Sequence, residues 1–263
     1  MRVTRKLIAK DVALIVCFAA LYAVFSYFPI FRILGMPSNA ITAAAITAPI
    51  IGFLLGPYIG PLSAALGGLI ALFAGSFFPP SFVSGIVTAL CAGLLVKGKR
   101  KLCALVYLLF LLAFGFYPFN GPAWLFPLSM WFQVIGFLIL ISPLGSEAEK
   151  GLKSDRRSKS ILAFFATSLV STLAGQISGS LVYTILFTIF FPLSGSWTVQ
   201  WQGLTLLYPV ERMIIAIGSS LVGTPLIRVL RSSNMIPVLS HERTANVPMK
   251  MHSSEGIVIS SKP

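Results

Sequence analysis

The chain is built from long uninterrupted apolar segments, most of them about as long as a lipid bilayer is thick. A hydrocarbon core of about 30 Å requires about 17–25 apolar residues of a crossing helix. Only 10% of the 263 residues are charged and 56% are hydrophobic, whereas soluble domains carry about 25% charged residues. Lipid cannot hydrogen-bond an unpaired backbone, and the segments lack period-2 alternation. The sequence therefore predicts an all-α, polytopic membrane protein.

All basic residues except Arg32 and Arg212 fall into four clusters with apolar segments between them. The clusters are Arg2, Arg5, Lys6 and Lys10; Lys97, Lys99, Arg100 and Lys101; Lys150, Lys153, Arg156, Arg157 and Lys159; and the region from Arg228 onward. The formal charge of +13 is compatible with nucleic-acid binding, but this distribution follows the positive-inside rule. We therefore expect no nucleic-acid partner, a place in the cell membrane, and all clusters and both chain ends in the cytoplasm.

Eight candidate crossings lie between these clusters. Their bounds are Asp11–Phe31, Ala40–Gly56, Tyr58–Phe78, Phe82–Val96, Leu102–Tyr117, Trp124–Ser142, Ile161–Phe191 and Thr205–Leu230. Two cytoplasmic clusters must be separated by an even number of crossings, and the three intervals contain four, two and two. The first segment is too long for a signal peptide and no A-x-A site follows it, so we expect it to be retained.

A single transmembrane domain is expected over residues 1–231, and a disordered cytoplasmic tail over residues 232–263. The tail is polar, with Ser, Asn and Pro scattered through it, a composition that cannot bury a core. Both histidines, His241 and His252, fall within it.

Small residues recur at every fourth position in the second and third segments. They are Ala40, Ala44, Ala48, Gly52 and Gly56, followed by Gly60, Ala64 and Gly68, with Gly67, Ala71 and Gly75 beside them. Ala19 and Ala23 form a similar step in the first segment. Such stripes allow close approach of helices in lipid, either inside one bundle or toward another subunit. The sequence Gly56-Pro57 predicts a tight turn between two helices.

Motifs of several catalytic classes are missing from the sequence. It contains no Walker Gly-rich loop, no H-E-x-x-H, no G-x-S-x-G and no pair of buried carboxylates, groups that an ATPase or membrane hydrolase would need. Cys17, Cys91 and Cys103 are odd in number and form no C-x-x-C, so we interpret them as packing residues. We expect no enzymatic activity, no metal site and no cofactor.

Glu211 is the only acidic residue well inside a candidate crossing, and Arg212 is beside it. An intramembrane ionisable pair is by default a functional-site hypothesis. Neighbours on a helix point about 100° apart, so we expect only one of them to face a small cavity head-on. Ligand contact, a structural ion pair and an interfacial anchor all remain open.

Aromatic and amide side chains gather in the segments expected outside. They are Arg32 and Asn39; Asn120 and Trp124; and Trp197, Gln200, Trp201 and Gln202. An interfacial aromatic belt is one explanation, and a pocket for a flat polar ligand is another. Gln176 and Tyr183 lie two turns apart on one helix face. We expect them either to line the same cavity or to form hydrogen bonds between helices.

In their order along the chain, four features resemble the substrate-binding S component of energy-coupling factor (ECF) vitamin transporters. They are Ala19-x-x-x-Ala23; the turn Gly56-Pro57-Tyr58-Ile59-Gly60-Pro61 with its Gly/Ala-rich helix; the helix from Pro80 that ends Ala92-Gly93-Leu94-Leu95; and a last helix containing Tyr208-Pro209-Val210-Glu211-Arg212 and Gly223-Thr224-Pro225-Leu226. They cover roughly Asp11–Val96 and Ile161–Arg231. The family usually has six crossings, so the hairpin Leu102–Ser142 is the surplus.

The resemblance implies a subunit that captures a vitamin or related micronutrient from outside. Ala19 and Ala23 would dock it onto a transmembrane scaffold subunit that two separate ATPase subunits drive, and the outer loops and late helices would hold the ligand. Candidate ligand contacts are Glu211, Arg212, Trp201, Trp197, Gln176, Tyr183, Asn120, Trp124 and Asn39. The alternatives are a stand-alone secondary transporter or channel, and a membrane enzyme acting on lipid-linked substrates.

Overall fold

A computed structural model describes residues 9–33, 36–152, 157–190 and 195–232. Within these ranges helices alternate with short connections, and one β-hairpin follows the first helix. The elements are α1 (Ala9–Phe25), β1 (Pro29–Ile33), β2 (Met36–Thr42), α2 (Ala44–Phe73), α3 (Pro79–Val96), α4 (Arg100–Gly115), α5 (Pro122–Leu125), a 3-10 turn (Pro127–Met130), α6 (Trp131–Ile141), α7 (Pro143–Leu152), α8 (Arg157–Ile189) and α9 (Trp197–Ser232).

The surface and interior of the bundle are suited to lipid. Four helices in the described ranges are long and apolar enough to cross a membrane: Ala44–Phe73, Pro79–Val96, Ser158–Ile189 and Trp197–Ile227. Large apolar side chains face outward, with Leu105 62% and Leu206 74% exposed, while Ser63 and Thr184 are fully buried. The prediction of a helical membrane protein is confirmed at this level.

The chain reverses direction inside α2, at Gly56. This glycine has φ 79° and ψ −173°, a conformation open to glycine and strained for other residues, and Pro57 begins the second limb. A Cβ built on Gly60 would lie 3.0 Å from the Cα of Gly52, whereas eight residues of straight helix span about 12 Å. Helix α2 is therefore two limbs, residues 44–55 and 57–73, joined by the predicted turn.

Close backbone contacts fix how these limbs run. The second limb lies parallel to α1, because Ser63 Oγ donates to the carbonyl oxygen of Ile15 at 3.0 Å and Gly67 packs against the carbonyl group of Ala19. The first limb lies parallel to α3, because Gly52 meets the Ala89 carbonyl group. The small-residue stripes thus pack helices within this chain.

The two ends of the bundle differ in chemistry. At one end the reversal at Gly56 lies near α3's last residues, and Lys99 Nζ donates to Tyr58 Oη at 3.3 Å. We call this the basic end, since Lys97, Lys99 and Lys101 are exposed there. The β1–β2 hairpin, antiparallel with Arg32 opposite Ala40, lies at the other, the hairpin end.

Helix α8 forms the centre of the bundle. Residues 167–180 are all buried, and α8 contacts α2, α3, α4, α6, α7 and α9. It runs antiparallel to α3, because Gly175 packs against Thr88 and a Cβ on Gly179 would lie 2.8 Å from the carbonyl oxygen of Pro80. Glycine lets the two backbones meet, which places side chains of both helices around one space.

Several predicted boundaries were wrong. The first crossing was expected to end at Phe31 and the second to begin at Ala40, but Pro29–Thr42 pairs as the hairpin. The crossing from Trp124 is interrupted by Pro127, so the α-helix begins at Trp131. Helix α9 begins at Trp197 and not at Thr205, so the predicted outer loop around Trp201 is helical. The predicted tail from residue 233 onward lies outside the described residues.

The packing at Gly67 yields a stability test. Gly67→Ala places a methyl group on the Ala19 carbonyl, and such overpacking costs about 1–3 kcal/mol, so the thermal midpoint should fall. Gly195→Ala is the matched control, because a Cβ there has no atom within 4 Å and should change stability by less than about 0.5 kcal/mol. Equal midpoints for the two variants would contradict the close packing of α1 on α2.

A candidate ligand-binding cavity

A cavity opens toward the hairpin end between α1, β2, α2, α3, α8 and α9. The space between its walls is about 910 Å³, a figure that includes open solvent at the mouth. Both helices that meet at Gly175 contribute to it, α3 through Ser84 and Thr88 and α8 through Thr172 and Gln176. The cavity thus lies beside the close contact between α3 and α8.

Aromatic side chains form much of its wall. Tyr22, Phe77, Phe78, Tyr183 and Tyr208 all line the cavity. Tyr22 is only 1% exposed and meets Phe77 edge-to-face with ring centroids 5.6 Å apart. Flat apolar surfaces with hydroxyl groups at their rims suit a ring-containing ligand.

Gln176 presents an unpartnered amide to the cavity. Its side chain is buried, yet neither Nε2 nor Oε1 has a hydrogen-bond partner among the described residues. Gln133 is a second buried glutamine and lies outside the cavity. With its amide turned so that both of its polar groups are satisfied, the nitrogen donates to the carbonyl groups of Ser129 and Met130, each at 3.2 Å. Burying an unpaired amide costs free energy, so the contrast points to a ligand contact at Gln176.

Glu211 and Arg212 both line the cavity, although we expected only one of them to do so. Their side chains are 1% and 7% exposed, and Arg212 Nη2 lies 3.6 Å from Glu211 Oε2. The long arginine side chain bends back toward the carboxylate and so overcomes the separation of about 100° between successive helical residues. Glu211 Oε2 and Arg212 Nε have no hydrogen-bond partner among the described residues. Their burial excludes the interpretation as an interfacial anchor.

Pro209, two residues before Glu211, interrupts the backbone hydrogen bonding of α9, and a side chain from α6 compensates for it. Pro209 has no N–H, so the carbonyl group of Thr205 lacks its helical donor. Trp131 Nε1 donates to this carbonyl oxygen at 3.0 Å. The side chain from α6 therefore satisfies this carbonyl group of α9, nearly two turns before Glu211, and α9 continues past Pro209 to Ser232.

The other predicted tryptophans lie behind the cavity wall. Trp201 is buried, donates from Nε1 to the carbonyl oxygen of Asn120 at 3.0 Å, and stacks on Trp197 with centroids 5.5 Å apart. Trp197 meets Tyr183 edge-to-face at 6.3 Å. None of Trp197, Trp201 and Asn120 is among the described residues that line the cavity. They support Tyr183 from behind.

Two further predicted contacts lie away from the cavity or outside the description. Trp124 is 62% exposed and packs on Phe116. Asn39 belongs to β2, but its side chain lies outside what the structure describes. Gln176 and Tyr183 do line one cavity, and Tyr183 Oη also accepts a hydrogen bond from Gln200 Nε2 at 3.3 Å.

A row of polar residues on α8 was not predicted. Buried polar side chains occur there at every fourth position: Ser168, Thr172, Gln176, Ser180 and Thr184. This spacing places them on one helix face and was visible in the sequence, where only Gln176 was noted. The row continues past the cavity toward the basic end. Thr42, Ser84 and Thr88 also line the cavity, without any spacing that would have identified them.

The predicted docking pair Ala19 and Ala23 faces inward. Their side chains are only 4% and 8% exposed, and Ala19 packs on Gly67 of α2. A partner subunit cannot reach these two side chains while α1 lies on α2. The A-x-x-x-A step therefore packs this chain on itself in the structure.

No family model, curated protein or solved structure matches the chain.

The two buried glutamines give matched stability variants. Gln176→Met removes two unpartnered polar atoms, so the unliganded protein should keep or gain stability, by up to about 1 kcal/mol. Gln133→Met removes two satisfied hydrogen bonds and should lose about 1–3 kcal/mol. Thermal unfolding of both variants in detergent measures the difference. A larger loss in Gln176→Met would mean that its amide has a structural role in place of a ligand-binding one.

Proposed function

We propose that the chain is the substrate-binding subunit of an ECF-type importer, which captures a vitamin or related micronutrient from outside. One observation carries the proposal: the cavity holds three buried side chains, Gln176, Glu211 and Arg212, and each has at least one polar atom without a hydrogen-bond partner among the described residues. Such atoms are stabilised when a ligand supplies the missing hydrogen bonds. The resemblance to S components and the place of the cavity at one end of the bundle support the same function.

The proposed topology has eight crossings. They are α1, the two limbs of α2, α3, α4, α6 with the preceding 3-10 turn, α8 and α9. The exposed lysines at the basic end favour a cytoplasmic position for it, by the positive-inside rule. The cavity then opens outward, both chain ends lie in the cytoplasm, and the protein is in the cell membrane.

Delivery of the ligand would depend on partners, namely a transmembrane scaffold subunit and two ATPase subunits. The sequence offers no nucleotide-binding motif of its own, which fits hydrolysis on separate subunits. Since Ala19 and Ala23 are buried against α2, the scaffold would contact another surface of the chain.

A second candidate function is a stand-alone secondary transporter. The polar row on α8 favours it, because Ser168 lies beyond the cavity toward the basic end and its Oγ has no partner among the described residues. Buried polar groups in a membrane protein mark substrate or ion pathways. A transporter of this kind would move its substrate without ATPase partners.

Proteoliposomes separate the two functions. The probe is the compound that co-purifies with the chain, identified by mass spectrometry and supplied in radiolabelled form. We expect the chain alone to bind it in about equimolar amount without accumulating it in the lumen, since capture and transport reside on different subunits. Accumulation by the chain alone, driven by an ion gradient, would establish the secondary transporter. An excess of the unlabelled compound measures background binding.

Cysteine labelling tests the topology. In a Cys17→Ser background, which removes the exposed native thiol, Lys99→Cys and Lys159→Cys should react only from the cytoplasmic side. Tyr27→Cys, at the hairpin end and 60% exposed in the native residue, should react only from outside. Labelling of Lys99→Cys and Lys159→Cys from opposite sides would refute the eight-crossing topology.

A further inference from the structure

The cavity has two charged residues of opposite sign and no net charge. Glu211 and Arg212 are the charged side chains that line it in the described part of the chain, and their charged atoms lie 3.6 Å apart. Both side chains are more than nine-tenths buried. A ligand with net charge would place an uncompensated ion in this poorly hydrated site, which is costly. The charge balance therefore favours a ligand whose net charge is zero.

The atoms that lack hydrogen bonds determine which donors and acceptors the ligand must carry along its edge. Glu211 Oε2 and Gln176 Oε1 accept hydrogen bonds, and Arg212 Nε and Gln176 Nε2 donate them. None of the four has a hydrogen-bond partner among the described residues, although Glu211 Oε2 lies 3.6 Å from Arg212 Nη2 in the ion pair. A complementary ligand carries donors and acceptors side by side, as a ring N–H next to a ring carbonyl does. A site of this kind discriminates strongly against analogues that lack the donors, because its buried polar atoms stay unpaired.

The side chains that form the cavity walls indicate the shape of the ligand. Tyr22 and Phe77 meet at right angles on one side, with an interplanar angle of 90°. Tyr183 and Tyr208 line the cavity from α8 and α9, and Tyr208 Oη lies 3.4 Å from Ser180 Oγ. Aromatic faces with few flexible side chains favour a planar ring over an extended chain.

We infer that the cavity binds an uncharged, planar heterocycle whose edge carries adjacent ring N–H and carbonyl groups. The ring would lie among the aromatic side chains, with its donors toward Glu211 and the Gln176 oxygen and its acceptors toward Arg212 and the Gln176 nitrogen. This inference rests on the proposed capture function and names the ligand class for that same site.

The test measures binding of a defined panel to the full chain in detergent, by isothermal titration and by the rise in thermal midpoint. The uncharged probes are uracil, hypoxanthine and lumazine, each paired with its N-methylated counterpart, in which the donors are blocked. Orotate is the anionic probe and 1-methylnicotinamide the cationic one. We expect at least one uncharged probe to bind about tenfold or more tightly than both charged probes and than its own N-methylated counterpart.

Charge variants of the pair sharpen the test. Glu211→Gln leaves the cavity with one positive charge, so the affinity for orotate relative to the uncharged probes should rise by about tenfold or more. Arg212→Gln leaves one negative charge, so the relative affinity for 1-methylnicotinamide should rise by the same factor. The double variant is neutral again and should prefer uncharged probes, with lower affinity. Ser219→Ala is the control, since Ser219 is buried on α9, bonds to the carbonyl oxygen of Ile46 and does not line the cavity.

The outcomes separate this inference from the proposed function. A charged probe that binds the native chain as tightly as the uncharged ones, or N-methylation without effect, would overturn the inference and leave the capture function in place. Absence of binding by every probe, together with absence of any co-purifying compound, would overturn both. If the charge variants do not fold, the panel on the native chain alone decides.

Discussion

Close contact between helix backbones is the constraint on which the rest of this structure depends. Lipid offers no hydrophobic gain when two apolar helices meet, so association relies on van der Waals packing. Gly52 against Ala89, Gly67 against Ala19 and Gly175 against Thr88 bring three helix pairs to backbone contact. Second contacts along the same helix pairs fix the directions of α1, both limbs of α2, α3 and α8. The cavity lies beside the contact between α3 and α8.

The buried polar groups divide into those that the fold satisfies and those that it leaves open. Thr172 and Thr184 donate to carbonyl groups of their own helix, and Trp201 donates to the carbonyl oxygen of Asn120, between α4 and α5. Gln176, Glu211 and Arg212 lack full partners in the described part of the chain, and all three line one cavity. Ser168 and Thr224 each keep an unpartnered hydroxyl away from the cavity among the described residues, so Gln176, Glu211 and Arg212 differ from them in lining it.

Helical character and the reversal at Gly56 were predictable because both follow from local chemistry, apolar length in one case and a Gly-Pro pair in the other. The intramembrane pair Glu211 and Arg212 was identifiable because ionisable residues are rare in lipid. Predictions failed where partners far along the chain decide the outcome. The hairpin Pro29–Thr42 depends on cross-strand pairing, and Trp201 and Asn120 contact each other in place of the cavity. Likewise, Ala19 faces Gly67, and the spacing of small residues alone does not show which helix they will contact.

The bond from Trp131 to the Thr205 carbonyl joins the region that looked like a surplus hairpin to the helix that carries the charged pair. Pro209 leaves that oxygen without a helical donor. Helix α6 supplies the donor and so helps to fix the path of α9 at this point. Helix α6 thus braces the helix that carries the charged pair without lining the cavity itself. Remodelling this brace would move Glu211 and Arg212 together, so the interior of the cavity would change through residues outside it.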